Sequence, residues 1–418
     1  MYEAPGQEGD PLEVHPGRMI VGYEPGAVDS PQQILEDLPG ASVTKQFDSS
    51  PAMLVQLPEG TKVSEAVRSL SERHGVRYAE PDYLYKVEAV PDDPMFSSLW
   101  GLHNTGQTGG IPDADIDAPE AWDFTTGDDS VLVGVVDSGV DIQHVDLVDN
   151  IWVNPGEIPG DGVDNDGNGY VDDINGWHFY EDTNDPSDQN GHGTHVAGTI
   201  GAVGNNGVGV SGVNWDVQMG ALAIGIGASP FISMSAAIEA VQYATDMEFD
   251  VLNMSWGGTG APSTALRDAI EAAGDAGVLV VAAAGNSSSN NDLDPAYPAS
   301  FDLDNIISVA ATTHTDQMAG FSNYGVESVD LGAPGESILS TRMGGGYMTM
   351  SGTSMAAPHV TGAAALLKAF NPLARVPDLR NALLEGVDPL PPLQGRVATG
   401  GRLNANNAVG SMRTPVEG

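Results

Sequence analysis

The chain contains no cysteine, so neither a disulfide framework nor a thiol nucleophile can be built, and stability must come from packing and bound ions. Positive charge is nearly as scarce. Its 418 residues carry 15 Lys and Arg against 58 Asp and Glu, a formal net charge of −43. Between Lys86 and Arg267 no Lys or Arg occurs. A surface of that sign repels phosphate backbones and anionic bilayers, which argues against nucleic-acid and membrane partners. The excess is concentrated: up to Val90 there are 7 bases and 15 acids, and the remainder holds 8 bases and 43 acids. Two causes fit, adaptation to high salt, where screening relieves self-repulsion, and binding of divalent cations. No apolar run approaches the roughly 18 residues of a membrane span, so no transmembrane helix is expected. The opening Met1-Tyr-Glu-Ala-Pro-Gly lacks a basic stretch leading into an apolar one, so no signal peptide is expected in this chain. The length suits one large domain and one small one, acting as a monomer.

Against these absences stands G-T-S-M-A-A-P at 352–358. Ser354 follows two small residues and precedes an apolar run, Met355 to Leu367, that reads as a buried helix. A hydroxyl there sits at the positive end of a helix dipole, where an attack that creates an oxyanion is favoured. A helix N-cap is the competing role for such a serine. Two further motifs bear on the choice. V-L-V-G-V-V-D-S-G-V at 131–140 reads as a strand covered on both faces and ending in Asp137, at the edge where α/β folds place their sites. N-G-H-G-T-H-V-A-G-T at 190–199 sets His192 between two glycines at the start of a tightly packed helix, with His195 in a structural role. The chain order Asp, His, Ser is that of subtilisin.

With these three motifs the chain resembles the subtilisin-like (subtilase, S8) serine peptidases. The resemblance implies that Ser354 attacks the scissile carbonyl, His192 carries the proton and Asp137 orients the imidazole. It assigns Asn286, in V-L-V-V-A-A-A-G-N at 278–286, to the oxyanion hole with the backbone N–H of Ser354. It places Ser255, Trp256 and Gly257 on one wall of the substrate pocket, Ala283, Ala284 and Gly285 on the other, and Ala296 at its floor. Leu is common where Trp256 stands. A small apolar floor implies broad specificity with a preference for large uncharged side chains before the cut. No G-x-S-x-G elbow surrounds Ser354, which argues against a lipase or esterase. An inactive homologue serving as a calcium-dependent binding or scaffold protein is the alternative, disfavoured because every catalytic residue is present.

The organisation fits. Residues 18–87 have a βαββαβ rhythm similar to the ferredoxin-like propeptide of these enzymes, which assists folding and inhibits the active site intramolecularly. Residues 1–17 are expected to be a tail, 88–94 a processing linker cut by the enzyme itself, 95–410 the peptidase domain and 411–418 a second tail. From about 115 onward, strands alternate with helices, which predicts an α/β fold: a three-layer parallel sheet with helices on both faces. The family is mostly secreted, so an export signal is expected to have been removed or left out.

Structural Ca²⁺ is the expected cofactor. In D-N-D-G-N-G-Y-V-D-D at 164–173, Asp164, Asp166, Asn168 and Asp172 occupy positions 1, 3, 5 and 9 of a calcium loop. Asn175 replaces the bidentate Glu at position 12, which excludes an EF-hand, and Asp173 is the expected substitute. By resemblance, Asp146 and Asn206 belong to a second calcium site with carbonyls of the 204–210 loop. A Gln ligand often found just before Trp100 is Leu99 here.

Overall fold

The computed structural model describes residues 14–27, 30–36, 38–84 and 89–412. The expected processing linker, 88–94, therefore lies partly outside the described residues, as do most of both tails. The chain divides into two compact units, Met1–Val87 and Glu88–Gly418.

In the first unit, four antiparallel strands lie in the order Ser42–Gln46, Ala52–Gln56, Val14–Tyr23, Val76–Tyr83. The helix Val63–Ser71 turns Ala66, Val67 and Leu70 inward, one stripe of a 3.6-residue period. These meet Met19, Val21, Met53 and Val55 in a small core. The first helix of the expected βαββαβ order is only a 3₁₀ turn, Pro31–Leu35. Pro39 bars a longer helix, because the residue before a proline avoids the α conformation.

The second unit is built on a nine-stranded sheet. Its order is Asp388–Pro389, Gly401–Arg402, Leu331–Pro334, Ile306–Thr312, Leu279–Ala283, Val251–Met254, Gly127–Asp137, Asp216–Ala223, Gly176–His178. Apart from the antiparallel pairing of Asp388–Pro389 with Gly401–Arg402, neighbours run parallel. Successive strand residues serve opposite faces. Val133, Val135, Val281 and Ala283 pack with the helices His192–Gly201 and Thr353–Phe370. Val136, Val280 and Ala282 pack with Met234–Asp246 and Thr264–Ala276. This is the expected three-layer α/β sandwich.

Thr353–Phe370 lies against the centre of the sheet because its residues are small. A Cβ at Gly362 would come within 2.5 Å of Val213. The strand Gly127–Asp137 lies between Asp216–Ala223 and Val251–Met254, and the chain leaves it first to one side and later to the other. That reversal opens a crevice beyond the carboxyl ends of the strands. Among the described residues, no helix is long and apolar enough to cross a membrane.

Candidate active site

Asp137 ends its strand in the crevice, buried to 3% exposure. His192 opens its helix, and Gly193 lets that helix close onto the strand. A Cβ at Gly193 would stand 2.1 Å from the Gly139 carbonyl oxygen and 3.0 Å from the Asp137 side chain. The result is a 2.8 Å hydrogen bond from His192 Nδ1 to Asp137 Oδ1, which also accepts the Ser138 N–H at 2.7 Å. This bond places the His192 proton on Nδ1 and leaves Nε2 as the basic nitrogen. Burial pulls the His192 pKa down, but the charge and hydrogen bond of Asp137, with the charge of Asp188, hold it above the usual histidine value.

One turn along the same helix, His195 behaves oppositely. Its Nε2 faces two backbone carbonyls, Ile338 at 3.0 Å and Met348 at 3.1 Å, with no acid beside it. Burial therefore dominates and lowers its pKa to about 4, in keeping with a structural role.

Ser354 lies in the first turn of Thr353–Phe370. Its Oγ donates to the Ser255 carbonyl at 2.8 Å, and the Ser255 hydroxyl donates back to the Ser354 carbonyl at 2.8 Å. That carbonyl is available because Pro358, four residues on, has no N–H to bond it. Ser255 is itself held: Asn253 Nδ2 donates to its hydroxyl at 2.8 Å, and Thr361 Oγ1 donates to Asn253 Oδ1 at 2.9 Å. Three neutral buried side chains thus fix the backbone at Ser354.

Asn286 is oriented by Thr353, whose N–H and hydroxyl both donate to Asn286 Oδ1, at 2.8 and 3.0 Å. The Thr353 hydroxyl in turn accepts the Gly285 N–H at 3.0 Å. Gly285 has φ +110°, a conformation that an L side chain rarely adopts. With Oδ1 occupied, Asn286 Nδ2 faces the cleft. Neither it nor the Ser354 N–H has an acceptor among the described residues.

A cleft of about 410 Å³ joins these groups. Its walls include Asp137, His192, Ser354, Asn286, Ser255, Trp256, Gly257, Ala283 and Gly285. Trp256 is pinned by its Nε1–H, which donates to the Val136 carbonyl at 2.8 Å. Ala284 points away, into a cluster with Ala310, Val329, Leu393 and Val397. Ala296 is buried on a short strand paired with Gly258–Thr259, behind the Ser255–Gly257 wall. Phe231, 70% exposed, joins the cleft lining. Nothing in its loop, A-S-P-F-I-S at 228–233, marks it in the sequence.

The acidic segment folds around a different centre from the one its spacing suggests. Carboxylate oxygens of Glu157, Asp166 and Asp173 lie within 4.8 Å of one another. Asp164 instead accepts the N–H groups of Gly167, Asn168 and Gly169, and Asp172 those of Gly160 and Gly162. Asn168 stays at the centre, its Nδ2 donating to Asp166 and Asp173. Burial raises the pKa of Asp173. Hard oxygen donors this close, in a stretch without a basic residue, suit Ca²⁺.

In the second cluster Asp146 is fully buried. It accepts Asn206 Nδ2 and the Val210 N–H, both at 2.9 Å. Burial raises its pKa, and the charge of Asp93 contributes. Asp93, itself buried, accepts the Asn205 and Asn206 N–H groups at 2.7 and 3.3 Å. Leu99 is core. Asp93, six residues before Leu99, is brought beside Asp146 instead, and the signal in the sequence that could have pointed to it is the acidic pair Asp92–Asp93.

Comparison with known proteins agrees with this geometry. Residues 128–411 match the model of the subtilase family. The chain belongs to the subtilase family. Residues 7–82 match the fervidolysin N-terminal prodomain. The thermophilic serine proteinase of Bacillus sp. (strain AK1) is 34% identical over 348 residues, 83% of this chain and 76% of its own. The extracellular protease of Xanthomonas campestris pv. campestris is 33% identical over 342 residues, 76% of this chain and 56% of its own. Among solved structures, a protease of Pseudoalteromonas arctica PAMC 21717 superimposes with TM-score 0.60 at 28% identity, covering 77% of this subtilase and 99% of that chain. This subtilase is a serine endopeptidase with an N-terminal prodomain-like region, and its substrates are peptides.

Proposed function

We propose that this subtilase is the zymogen of a secreted, calcium-stabilised endopeptidase working through Asp137, His192 and Ser354. The observation that carries the reading is the 2.8 Å Asp137–His192 bond in one cleft with Ser354 and the free Asn286 amide. A peptide laid along Ser255–Gly257 as an added strand competes for the Ser255 carbonyl that Ser354 Oγ occupies, releasing the hydroxyl toward His192. Oγ then bonds to the scissile carbon as its proton passes to Nε2. The oxyanion is met by Asn286 Nδ2 and the Ser354 N–H. The C–N bond breaks as His192 returns the proton to the amine, and water repeats the sequence to release the acid. Asp137 stabilises the imidazolium throughout.

The cleft's titratable lining is Asp137 and His192, both engaged in catalysis. The remaining wall is uncharged, which supports a preference for large uncharged side chains. Glu157, Asp166 and Asp173 are proposed to hold one Ca²⁺, and Asp93, Asp146 and Asn206 a second. Secretion is supported by a relative named as extracellular. The prodomain-like unit acts as intramolecular inhibitor, with self-cleavage between about Tyr85 and Pro94.

Incubation of the full chain, followed by intact mass and N-terminal sequencing, tests the zymogen reading. Processing in wild type and none in Ser354→Ala is expected; equal processing in both refutes it. Adding EDTA should lower the melting temperature, and excess Ca²⁺ should restore it.

A further inference from the structure

Four residues before His192 stands Asp188, a buried carboxylate that the proposed reaction does not consume. It gathers five donors. Its Oδ1 accepts the Ser138 hydroxyl, the Asn190 N–H and the Gly191 N–H, each at 2.9 Å. Its Oδ2 accepts the Thr194 N–H at 3.0 Å and the Thr194 hydroxyl at 2.6 Å. These donors belong to two elements. Ser138 follows Asp137 off its strand, while Gly191 caps the His192 helix and Thr194 completes its first turn. Ser138 is tied in twice more, donating its N–H to Asp137 Oδ1 and accepting the Gly193 N–H at 2.9 Å.

These five bonds tie both oxygens of one carboxylate to two separate elements. We propose that Asp188 is a positioning residue for His192, locking the turn after Asp137 and the first turn of the His192 helix into one piece. The Nδ1–Oδ1 contact and the direction of Nε2 are then set before substrate arrives. A plain helix cap would bond the helix alone; the Ser138 bridge is what carries the effect to the catalytic carboxylate. Asp188 also acts at a distance, as a second negative charge that favours the imidazolium after Asp137. Among other titratable groups nearby, His195 is neutral at working pH, with its pKa lowered to about 4, and Asp141 is turned to the Gly344 N–H.

The inference rests on the proposed triad. Its test is the rate at which a serine-directed fluorophosphonate labels the full chain across pH, with peptide kcat and KM alongside. Asp188→Asn keeps the volume but mispairs the donors. It should slow labelling and kcat by about 10- to 100-fold with KM nearly unchanged, the usual scale for outer partners of a catalytic group. Its acidic limb should also move to lower pH. Ser138→Ala should cost less and leave the limb in place, because the charge remains. Asp188→Asn with wild-type rate and an unmoved limb would overturn the proposal, even with a lower melting temperature. If Asp188→Asn does not melt cooperatively, Ser138→Ala decides, and a wild-type rate there overturns it. An unlabelled wild type would instead bring down the triad on which it stands.

Discussion

On the Asp137–His192 side of the cleft, position is held by acidic side chains: one carboxylate on the imidazole and a second, Asp188, gripping strand and helix together. On the Ser354–Asn286 side it is held by neutral ones: Thr353 on the Asn286 amide, and the Thr361–Asn253–Ser255 relay on the Ser354 carbonyl. The division follows the charge that each side must carry during reaction. In the proposed mechanism a cation develops on His192, and nearby carboxylates favour it. The proposed oxyanion forms beside Asn286 and Ser354, where a fixed negative charge would oppose it and preorganised N–H dipoles favour it.

The comparison breaks first at the atoms that react. Ser354→Ala should reduce kcat on a peptide amide by on the order of 10⁶-fold, the size known for the nucleophile of subtilisin itself. Asn286→Ala should cost about 10²- to 10³-fold in kcat with KM little changed, again the subtilisin scale for one oxyanion donor. Either mutant at wild-type turnover would erase the distinction between the two sides.

The neutral relay can be sharpened by a compensating pair. Ser255→Ala strands the Ser354 carbonyl, because Pro358 offers no N–H, and should cost about 1–3 kcal/mol of stability. Adding Pro358→Ala supplies a helical N–H to that carbonyl and should recover part of the melting temperature. No recovery in the double mutant would show that the carbonyl was never short of a donor.

The charged side is read by pH. As the proposed base, His192 must be neutral, and its pKa stands above the histidine norm, so kcat/KM should fall as pH drops through a value above about 6.5. The smallest effect is on stability. His195 and His359 are buried neutral, with pKa values lowered to about 4. The unfolded chain therefore binds protons that the native one refuses between about pH 6.5 and 4, and stability present above that window is lost as pH falls through it. A melting temperature flat across this range would contradict that assignment.

Much of this was legible in the sequence because long, regular signals survive folding. The strands bearing Asp137 and Asn286 are apolar runs, and the Ser354 helix is announced by its small residues. The short strands Gly176–His178, Leu331–Pro334, Asp388–Pro389 and Gly401–Arg402 were not, since two to four residues carry no period and their sheet neighbours alone make them strands. The supporting shell was equally hidden. Asp188 resembles any acid before a helix, and Thr361 any residue within one. Glu157 reaches Asp166 and Asp173 from outside the calcium-loop pattern, so spacing within 164–173 could not point to it.

One serine, prepared by an imidazole and awaited by two N–H donors, is proposed to do the chemistry. The most direct measurement is fluorophosphonate labelling of the wild-type chain, with the modified residue located by peptide mass spectrometry. A single adduct on Ser354, formed more slowly below the His192 pKa, is the predicted result. An adduct on another serine, or none at any pH, would contradict it.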